Sequence, residues 1–368
     1  MTRRSVYSID AGLPFARALA AGVVTVAGTP ERLARGLIMV PSRRAAKALQ
    51  TAFLDLSDGA AMLLPQMLPI GDLSDDDEAG VSLPNGDALP PPISGLRRQV
   101  NLAKLLRHFP LGGHYPSPSQ AMMLADSLAQ LLDQLYNAEA TADQLSSLLP
   151  EQFSAHWQDI MTLLQILVQR WPDVLQAEGV IDAVDRRNRL IRAQADAWQQ
   201  NPPDRLIVVA GSTGSIAATR TLIGVVAGLP DGHVVLPGLD RYADEQWESI
   251  KEDSGHPQFQ LAQLLVHLGL RADQVQEWSG TIEAVPPALA ARRRLMREVF
   301  RPATSSDRWQ QLGAMTPPID RTALAGMKIL TARDRREEAS LVALALREVL
   351  ETPDRKSTRL NSSHQIIS

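Results

Sequence analysis

Near its start, the chain alternates short apolar runs with segments of helical spacing. Val6–Ile9 and Leu37–Val40 have the length and composition of buried strands. Between them, Pro14 suits the first turn of a helix and Gly22 suits its end. A second helical segment follows Ser42, which is placed as its N-cap. Its apolar positions are Ala45, Leu49, Ala52, Phe53 and Leu56. This pattern predicts a β-α-β-α segment of a parallel sheet.

The same alternation returns after residue 200. Residues 205–210 and 233–236 are apolar runs, and between them lie a glycine-containing turn and a helix with Leu222, Ile223 and Val226 on one face. They predict a second β-α-β unit that completes the same sheet. Residues 327–330 predict a further strand, and residues 334–337 resemble a capping box. The apolar face of the helix that follows consists of Leu341, Val342, Ala345, Leu346 and Val349.

A helical region separates the two sheet-forming parts. Residues 72–92 combine an acidic run at 75–78 with several Pro and Gly residues, which is typical of a solvated loop. From residue 93 to about residue 200 the apolar spacing is helical. One series is Leu124, Leu128, Leu131, Leu132 and Leu135, and another is Phe153, Trp157, Ile160, Leu164, Leu167 and Trp171. We therefore predict an α/β fold with a parallel sheet core and an inserted helical subdomain.

Composition narrows the functional classes. The 368 residues are 45% hydrophobic and 21% charged, which is globular composition. The formal net charge is -4, so contact with DNA would have to come from local basic clusters. No cysteine is present, which excludes disulfides, thiolate zinc sites and cysteine-bound iron–sulfur clusters in these residues. No apolar stretch reaches the ~20 residues of a membrane span, and the start lacks the body of a signal peptide, so we expect a cytoplasmic protein.

The first strand-to-helix turn lies where a phosphate-binding loop would be expected. Its key positions are Asp10, Gly12 and Pro14. The turn has no Lys to reach terminal phosphates and no following Ser or Thr to hold magnesium. Asp10 would repel phosphate, and Pro14 lacks an amide donor. We therefore predict a degenerate nucleotide loop and assign no catalytic residue.

A second candidate for phosphate binding is the turn formed by Gly211, Ser212, Thr213, Gly214 and Ser215. It follows a buried strand and opens a helix, so several N–H groups could converge on an anion. It could equally be a tight turn with Ser215 or Thr213 as the helix cap. The sequence leaves both interpretations open.

Exposed arginines are the third candidate for phosphate binding. Arg43 and Arg44 occupy the first turn of the helix after Ser42, where the macrodipole disfavours cations by about 0.3–1 kcal/mol each. They are either solvated or, with the helix N-terminus, bind a DNA phosphate. The clusters at residues 186–192 and 292–297 could track a DNA backbone, but we interpret them first as solvated helix faces. The seven histidines show no metal-ligand spacing, so we predict no metal site.

Several segments together resemble the alphaproteobacterial form of AddB, the subunit that partners AddA in the helicase–nuclease acting on double-strand breaks. The match is segmental and spans most of residues 5–353. The segments that support it are residues 6–15 (VYSIDAGLPF), 37–46 (LIMVPSRRAA), 210–216 (AGSTGSI), 234–240 (VVLPGLD), 256–259 (HPQF) and 301–303 (RPA).

The resemblance implies a RecA-like, superfamily 1 helicase-like core with a helical subdomain inserted in it. It implies AddA and DNA, as single strands or duplex ends, as partners in recombinational repair. Ser42, Arg43 and Arg44 fall where such helicases contact single-stranded DNA. In the family, ATP is used mainly by the partner subunit, and the iron–sulfur cluster and magnesium belong to a C-terminal nuclease domain. This cysteine-free chain does not include that domain, and its first loop makes ATP hydrolysis doubtful, so we expect no cofactor here.

We divide the chain into residues 1–92 as the first part of the core, 93–200 as the insertion, 201–320 as the second part of the core with a mixed connecting region, and 321–353 as the start of a further helicase-like lobe. Residues 354–368 lose the apolar pattern and look like a non-native tail, so we expect the natural protein to continue beyond residue 353. Two other functions stay open. One is a nucleotide-binding enzyme that uses residues 211–215, and the other is an assembly scaffold whose arginines face a partner protein.

Overall fold

The computed structural model describes residues 4–72, 89–110, 113–140, 169–243, 246–278, 286–314 and 320–351. Its strands are β1 (Val6–Ile9), β2 (Leu37–Val40), β3 (Gln66–Pro69), β4 (Ile207–Ala210), β5 (Gly232–Pro237) and β6 (Gln276–Glu277). They form one sheet in the order β3-β2-β4-β5-β1-β6, and every neighbouring pair is parallel. The second β-α-β unit therefore completes the first sheet by lying between β2 and β1. The predicted α/β fold is confirmed, and its parallel core is consistent with a RecA-like arrangement.

The described residues also form twelve α-helices. They are α1 (Phe15–Ala27), α2 (Pro30–Arg35), α3 (Arg43–Leu56), α4 (Gly95–Leu106), α5 (Pro118–Ala138), α6 (Trp171–Glu178), α7 (Ala183–Gln200), α8 (Ala217–Gly228), α9 (Trp247–Glu252), α10 (Phe259–Leu268), α11 (Pro287–Val299) and α12 (Arg335–Glu351). Short 3-10 helices are Ile70–Asp72, Ala272–Gln274, Ala303–Ala314 and Arg321–Leu324.

Both faces of the sheet are covered, as the alternation along β2 shows. Leu37 and Met39 join the apolar cluster on one face, whereas Ile38 and Val40 join the cluster on the other. Helices α7, α8 and α10 supply the first cluster, and α1, α2 and α3 supply the second. Such two-sided burial is why the strands read as continuous apolar runs instead of alternating ones.

Helices α4, α5 and α6 lie between β3 and β4 in the chain and share an apolar cluster of their own. At its centre Trp171 is fully buried, and its Nε1 donates to Asp182 Oδ2 at 3.4 Å. Arg98 bridges Asp182 at 2.9 Å and Asp133 at 2.8 Å. A separate cluster is what an inserted helical subdomain requires. The domain boundaries stay a prediction, and the helical series from Phe153 to Leu167 lies outside the described residues.

Two predicted features are wrong. Helix α1 does not end at Gly22, which is buried inside it; the helix continues to Ala27, and Gly28 is its C-cap. Residues 327–330 form no strand, and the side chain of Ile329 is 93% exposed. No strand of the described residues lies beside this run, and an unpaired segment cannot form a sheet ladder.

Helix α12 forms as the sequence predicts, but its apolar face is not covered. Asp334 Oδ1 accepts from the N–H groups of Arg336 and Glu337, both at 2.9 Å, and so caps the helix. None of its residues is buried. Burial therefore ends before α12, in contrast to the helices that cover the sheet.

Candidate functional site

The candidate residues gather at one edge of the sheet, because the carboxyl ends of parallel strands all meet there. The turn after β2 and residues 211–215 after β4 are neighbours, since β2 pairs directly with β4. A methyl group added to Gly211 would lie 3.4 Å from Phe15 Cε1 and 3.5 Å from Pro41 Cδ. Phe15 opens α1 and Pro41 precedes α3. The turns after β1, β2 and β4 therefore meet around Gly211.

The arginine pair stands at the start of α3. Ser42 is the N-cap as predicted, and its Oγ accepts from the N–H of Ala45 at 3.2 Å. Arg43 and Arg44 are exposed. Lys47 on the next turn is exposed too, as is Arg17 in the first turn of α1. This end of the edge therefore presents several exposed cations around the turn that follows β2.

Residues 211–215 form a tight turn in which glycine is required. Gly211 has a φ of 76° and Gly214 a φ of 67°, values that L side chains adopt only with strain. The N–H of Gly214 donates to Ser212 Oγ at 3.3 Å, and Arg220 Nε donates to the Gly214 carbonyl at 2.9 Å. Gly214 is also buried, so the turn is held from inside.

The predicted capping by Ser215 or Thr213 is wrong. The N-cap of α8 is Ile216, which has no oxygen in its side chain, and no side-chain cap is formed. Ala218 and Thr219 in the first turn of α8 are buried, so among the first-turn residues only the half-buried Ala217 is open to an acceptor from outside the chain. Ser215 is exposed, whereas Ser212 and Thr213 are half-buried.

The turn after β1 is closed on itself. The Leu13 N–H donates to the Asp10 carbonyl at 3.3 Å, and Gly12 has a φ of 88°. Pro14 is the N-cap residue of α1 and has no amide to offer. Asp10 is buried and forms an ion pair with Arg293 of α11. The degenerate nucleotide loop thus carries a carboxylate that is paired with an arginine of α11, and it offers no free site for a phosphate.

Helix α11 lies over this turn. Leu289 sits so close that a methyl group on Gly12 would lie 2.4 Å from its Cδ1. Further along the helix, Arg297 binds both carboxylate oxygens of Asp240, which follows β5, at 2.6 Å each. The two arginines that face the sheet edge are therefore neutralised by carboxylates of the edge itself.

A cavity of about 430 Å³ remains between α11, the turn after β1 and the segment after β5. His256 and Phe300 are among its lining residues. Burial lowers the pKa of His256 below its ordinary value, and its Nδ1 accepts from the Gln258 N–H at 3.0 Å. The imidazole is therefore neutral near pH 7 and adds no cation for a phosphate.

The other predicted arginine cluster holds helices together. Arg187 Nη2 donates to Asn137 at 2.6 Å, and Arg192 forms an ion pair with Glu139. Arg189 is paired with Asp185 at 2.9 Å. Their partners lie on α5, at its end or on α7 itself, so these arginines are engaged within the protein.

Sequence reasoning missed the role of Arg293 and Arg297, which it placed in a solvated helix face. The signal was the carboxylate of Asp10 in a turn next to a buried strand, because a buried charge requires a partner. In the described ranges, no group of three or more His, Asp or Glu residues is arranged to hold a metal ion. The acidic run at 75–78 lies outside those ranges. No described helix is both long and apolar enough to cross a membrane.

Comparison with known protein families finds no family that matches the chain. Comparison with curated proteins finds no similar sequence.

Proposed function

We propose that this chain is a DNA-binding, helicase-like part of a subunit that processes double-strand breaks for recombinational repair, and that it does not hydrolyse ATP. One observation carries the proposal. Arg43 and Arg44 stand exposed at the end of β2, directly beside residues 211–215 at the end of β4. Together they offer a phosphate backbone two guanidinium groups next to the turn that opens helix α8.

The same edge argues against nucleotide hydrolysis. A triphosphate at the turn after β1 would have to displace Asp10 from Arg293 and would meet a Pro where a donor is needed. The turn also lacks the lysine and the magnesium-holding hydroxyl. Arg293, which could serve phosphate there, is paired with Asp10, and Arg43 and Arg44 after β2 are exposed.

The proposal includes a partner. A subunit without its own ATP hydrolysis needs another chain to drive movement along DNA, and AddA is the partner that the family resemblance suggests. Under this proposal the chain holds the strand while the partner translocates. DNA contact at Arg43 and Arg44 would be to phosphates and therefore independent of sequence.

Replacing both arginines tests the proposal. We expect Arg43→Ala combined with Arg44→Ala to weaken binding of single-stranded oligonucleotides about equally across sequences. Two lost phosphate contacts would reduce the slope of log K against log salt by about 1.4, at ~0.7 per contact. Fluorescence anisotropy at several salt concentrations measures this slope.

Helix α12 provides a matched control, because Arg335 and Arg336 are also adjacent, exposed and in the first turn of a helix. We expect Arg335→Ala combined with Arg336→Ala to leave the slope unchanged. Equal slopes for the wild type and the Arg43/Arg44 variant would refute the DNA site. Hydrolysis of ATP by the purified chain alone would refute the second half of the proposal.

A further inference from the structure

A second cavity, of about 620 Å³, opens at the opposite, amino-terminal edge of the sheet. It lies where β2, β3 and β4 begin, and Gly36, Gln66 and Arg205 line it from those three strands. Helix α7 closes one side with Gln194 and Trp198. Its volume falls within the ~300–1,000 Å³ of small-molecule sites. The cavity is independent of the DNA site, because the two occupy opposite ends of the same strands.

Arg205 is the first polar group that this cavity presents to a ligand. Its guanidinium is half-buried, and burial lowers its pKa. No carboxylate in the described part of the chain pairs with it. Arg187 shows the usual arrangement, since it too is partly buried but donates to Asn137 at 2.6 Å. A desolvated cation without a partner is costly unless an anion joins it.

Gln194 is the second such group. Its side chain is only 2% exposed, and its Oε1 has no hydrogen-bond partner. Buried side-chain polar atoms are nearly always satisfied, so an unpaired one calls for a donor from a bound molecule. The indole of Trp198, 7% exposed, supplies a flat apolar wall next to it. One cavity thus combines an unpaired cation, an unpaired polar amide and an aromatic surface.

We propose that this cavity binds a small organic oxyanion, a phosphate or carboxylate joined to a flat group that carries an N–H or O–H donor. The oxyanion pairs with Arg205, with Arg35 at the rim as a second cation. The flat part lies along Trp198, and its donor reaches the amide of Gln194. The site selects for the combination, so neither the anion nor the flat group alone satisfies it.

Isothermal titration calorimetry on the full chain tests this with four probes: AMP, 4-hydroxybenzoate, adenosine and inorganic phosphate. We expect at least one of the two organic oxyanions to bind, and at least tenfold more tightly than adenosine and phosphate. Arg205→Met should weaken that binding at least tenfold, whereas Arg205→Lys should retain most of it. Arg336→Met, an exposed arginine on α12, should change nothing.

Thermal unfolding separates loss of the site from loss of the fold. Because no carboxylate of the described residues pairs with Arg205, we expect Arg205→Met without ligand to melt no lower than the wild type. Failure of all four probes at about 10 mM, or equal binding to wild type and Arg205→Met, would overturn the proposal. Oligonucleotide binding that responds to Arg43→Ala combined with Arg44→Ala but not to Arg205→Met leaves the two sites distinguishable.

Discussion

Helix α11 is held over the sheet edge by an ion pair whose strength can be measured. Arg297 Nε and Nη2 each lie 2.6 Å from an oxygen of Asp240, and the two side chains are 20% and 22% exposed. The Arg297 guanidinium also lies 5.7 Å from the centre of the Tyr242 ring. Bidentate geometry and limited exposure predict a coupling well above that of surface pairs.

The expected magnitude follows from these contacts. Exposed pairs contribute about 0.2–1 kcal/mol, and breaking a buried pair costs about 3–5 kcal/mol, so a pair about one-fifth exposed should couple by ~2 kcal/mol. Arg297→Met should reduce stability by about 3 kcal/mol, because among the described residues the Asp240 carboxylate then keeps only the Tyr242 N–H, at 3.1 Å. Asp240→Asn should cost ~2 kcal/mol. The double variant should then lose about 3 kcal/mol of stability, instead of the ~5 kcal/mol expected from adding the losses of the two single variants.

Hydrogen–deuterium exchange is the suitable assay, because a chain of this length need not unfold in one step. The amides of α11 report the local opening directly. A loss of ~3 kcal/mol corresponds to exchange roughly 150-fold faster in Arg297→Met. The exposed pair of Arg347 and Glu351 on α12 supplies the control, with an expected coupling of about 0.5 kcal/mol or less.

A coupling for Arg297 and Asp240 as small as that of the control would refute this reasoning. It would show that solvent screens the pair fully and that α11 is held by its apolar contacts alone. Faster exchange throughout the sheet, instead of in α11, would refute it differently. The pair would then stabilise the whole core and not only the packing of α11 against the sheet edge.

Two further predictions concern the core. A methyl group on Gly232 would lie 2.0 Å from the Val226 carbonyl oxygen, so we expect Gly232→Ala to destabilise the protein by about 3 kcal/mol in thermal unfolding. Gly228 has open space around it, so Gly228→Ala should leave the melting temperature unchanged. Equal melting temperatures for the two variants would contradict this prediction. Burial lowers the pKa of His233 below 6.5, and Asp231 offsets only part of this shift. The unfolded chain therefore binds the proton more readily, so the urea unfolding midpoint should fall as the pH drops below about 6.5. The midpoint of His233→Gln should fall less over the same pH range. Identical pH profiles for the wild type and the variant would contradict this prediction.

The sequence predicted the central strands because burial on both faces leaves a simple signal. Val6–Ile9 and Leu37–Val40 are strands with the predicted bounds. β3 was missed because it is an edge strand, half-buried at Gln66 and Met67 and ending in a proline. β6 has only two residues, both exposed, and carries no apolar pattern.

Helix ends were harder to predict, because packing decides them. Gly22 would end an isolated helix, but here it lies on the buried face of α1 next to several alanines. Burial of that face outweighs the ~1 kcal/mol that a glycine costs inside a helix. The run at residues 327–330 failed for the opposite reason. Its apolar residues suit a strand, but a strand needs a neighbour, and no neighbour lies beside it in the described residues.

The sequence could predict the role of a candidate residue where that role depends on neighbours in the chain. It could not predict the role where it depends on a partner far away in the chain. Ser42 caps α3 because its hydroxyl oxygen and the N–H of Ala45 that donates to it are only three residues apart. Arg293 and Asp10 lie far apart in the chain, and only the fold brings them together. The sequence could therefore place arginines on helix faces but could not tell which of them meet a carboxylate.

The positions of the carboxylates at the sheet edge limit where it can bind a polyanion. The turn after β1 carries a carboxylate, so it attracts a cation from α11, and the pair excludes phosphate without any external ligand. The turn after β2 carries no carboxylate, and Arg43 and Arg44 are exposed there despite the unfavourable helix dipole. A polyanion that crosses the edge therefore meets neutralised charge at one end and exposed charge at the other. The bound strand should lie toward β2 and β4, and a substitution of Arg293 should disturb α11 without reducing the salt dependence of DNA binding.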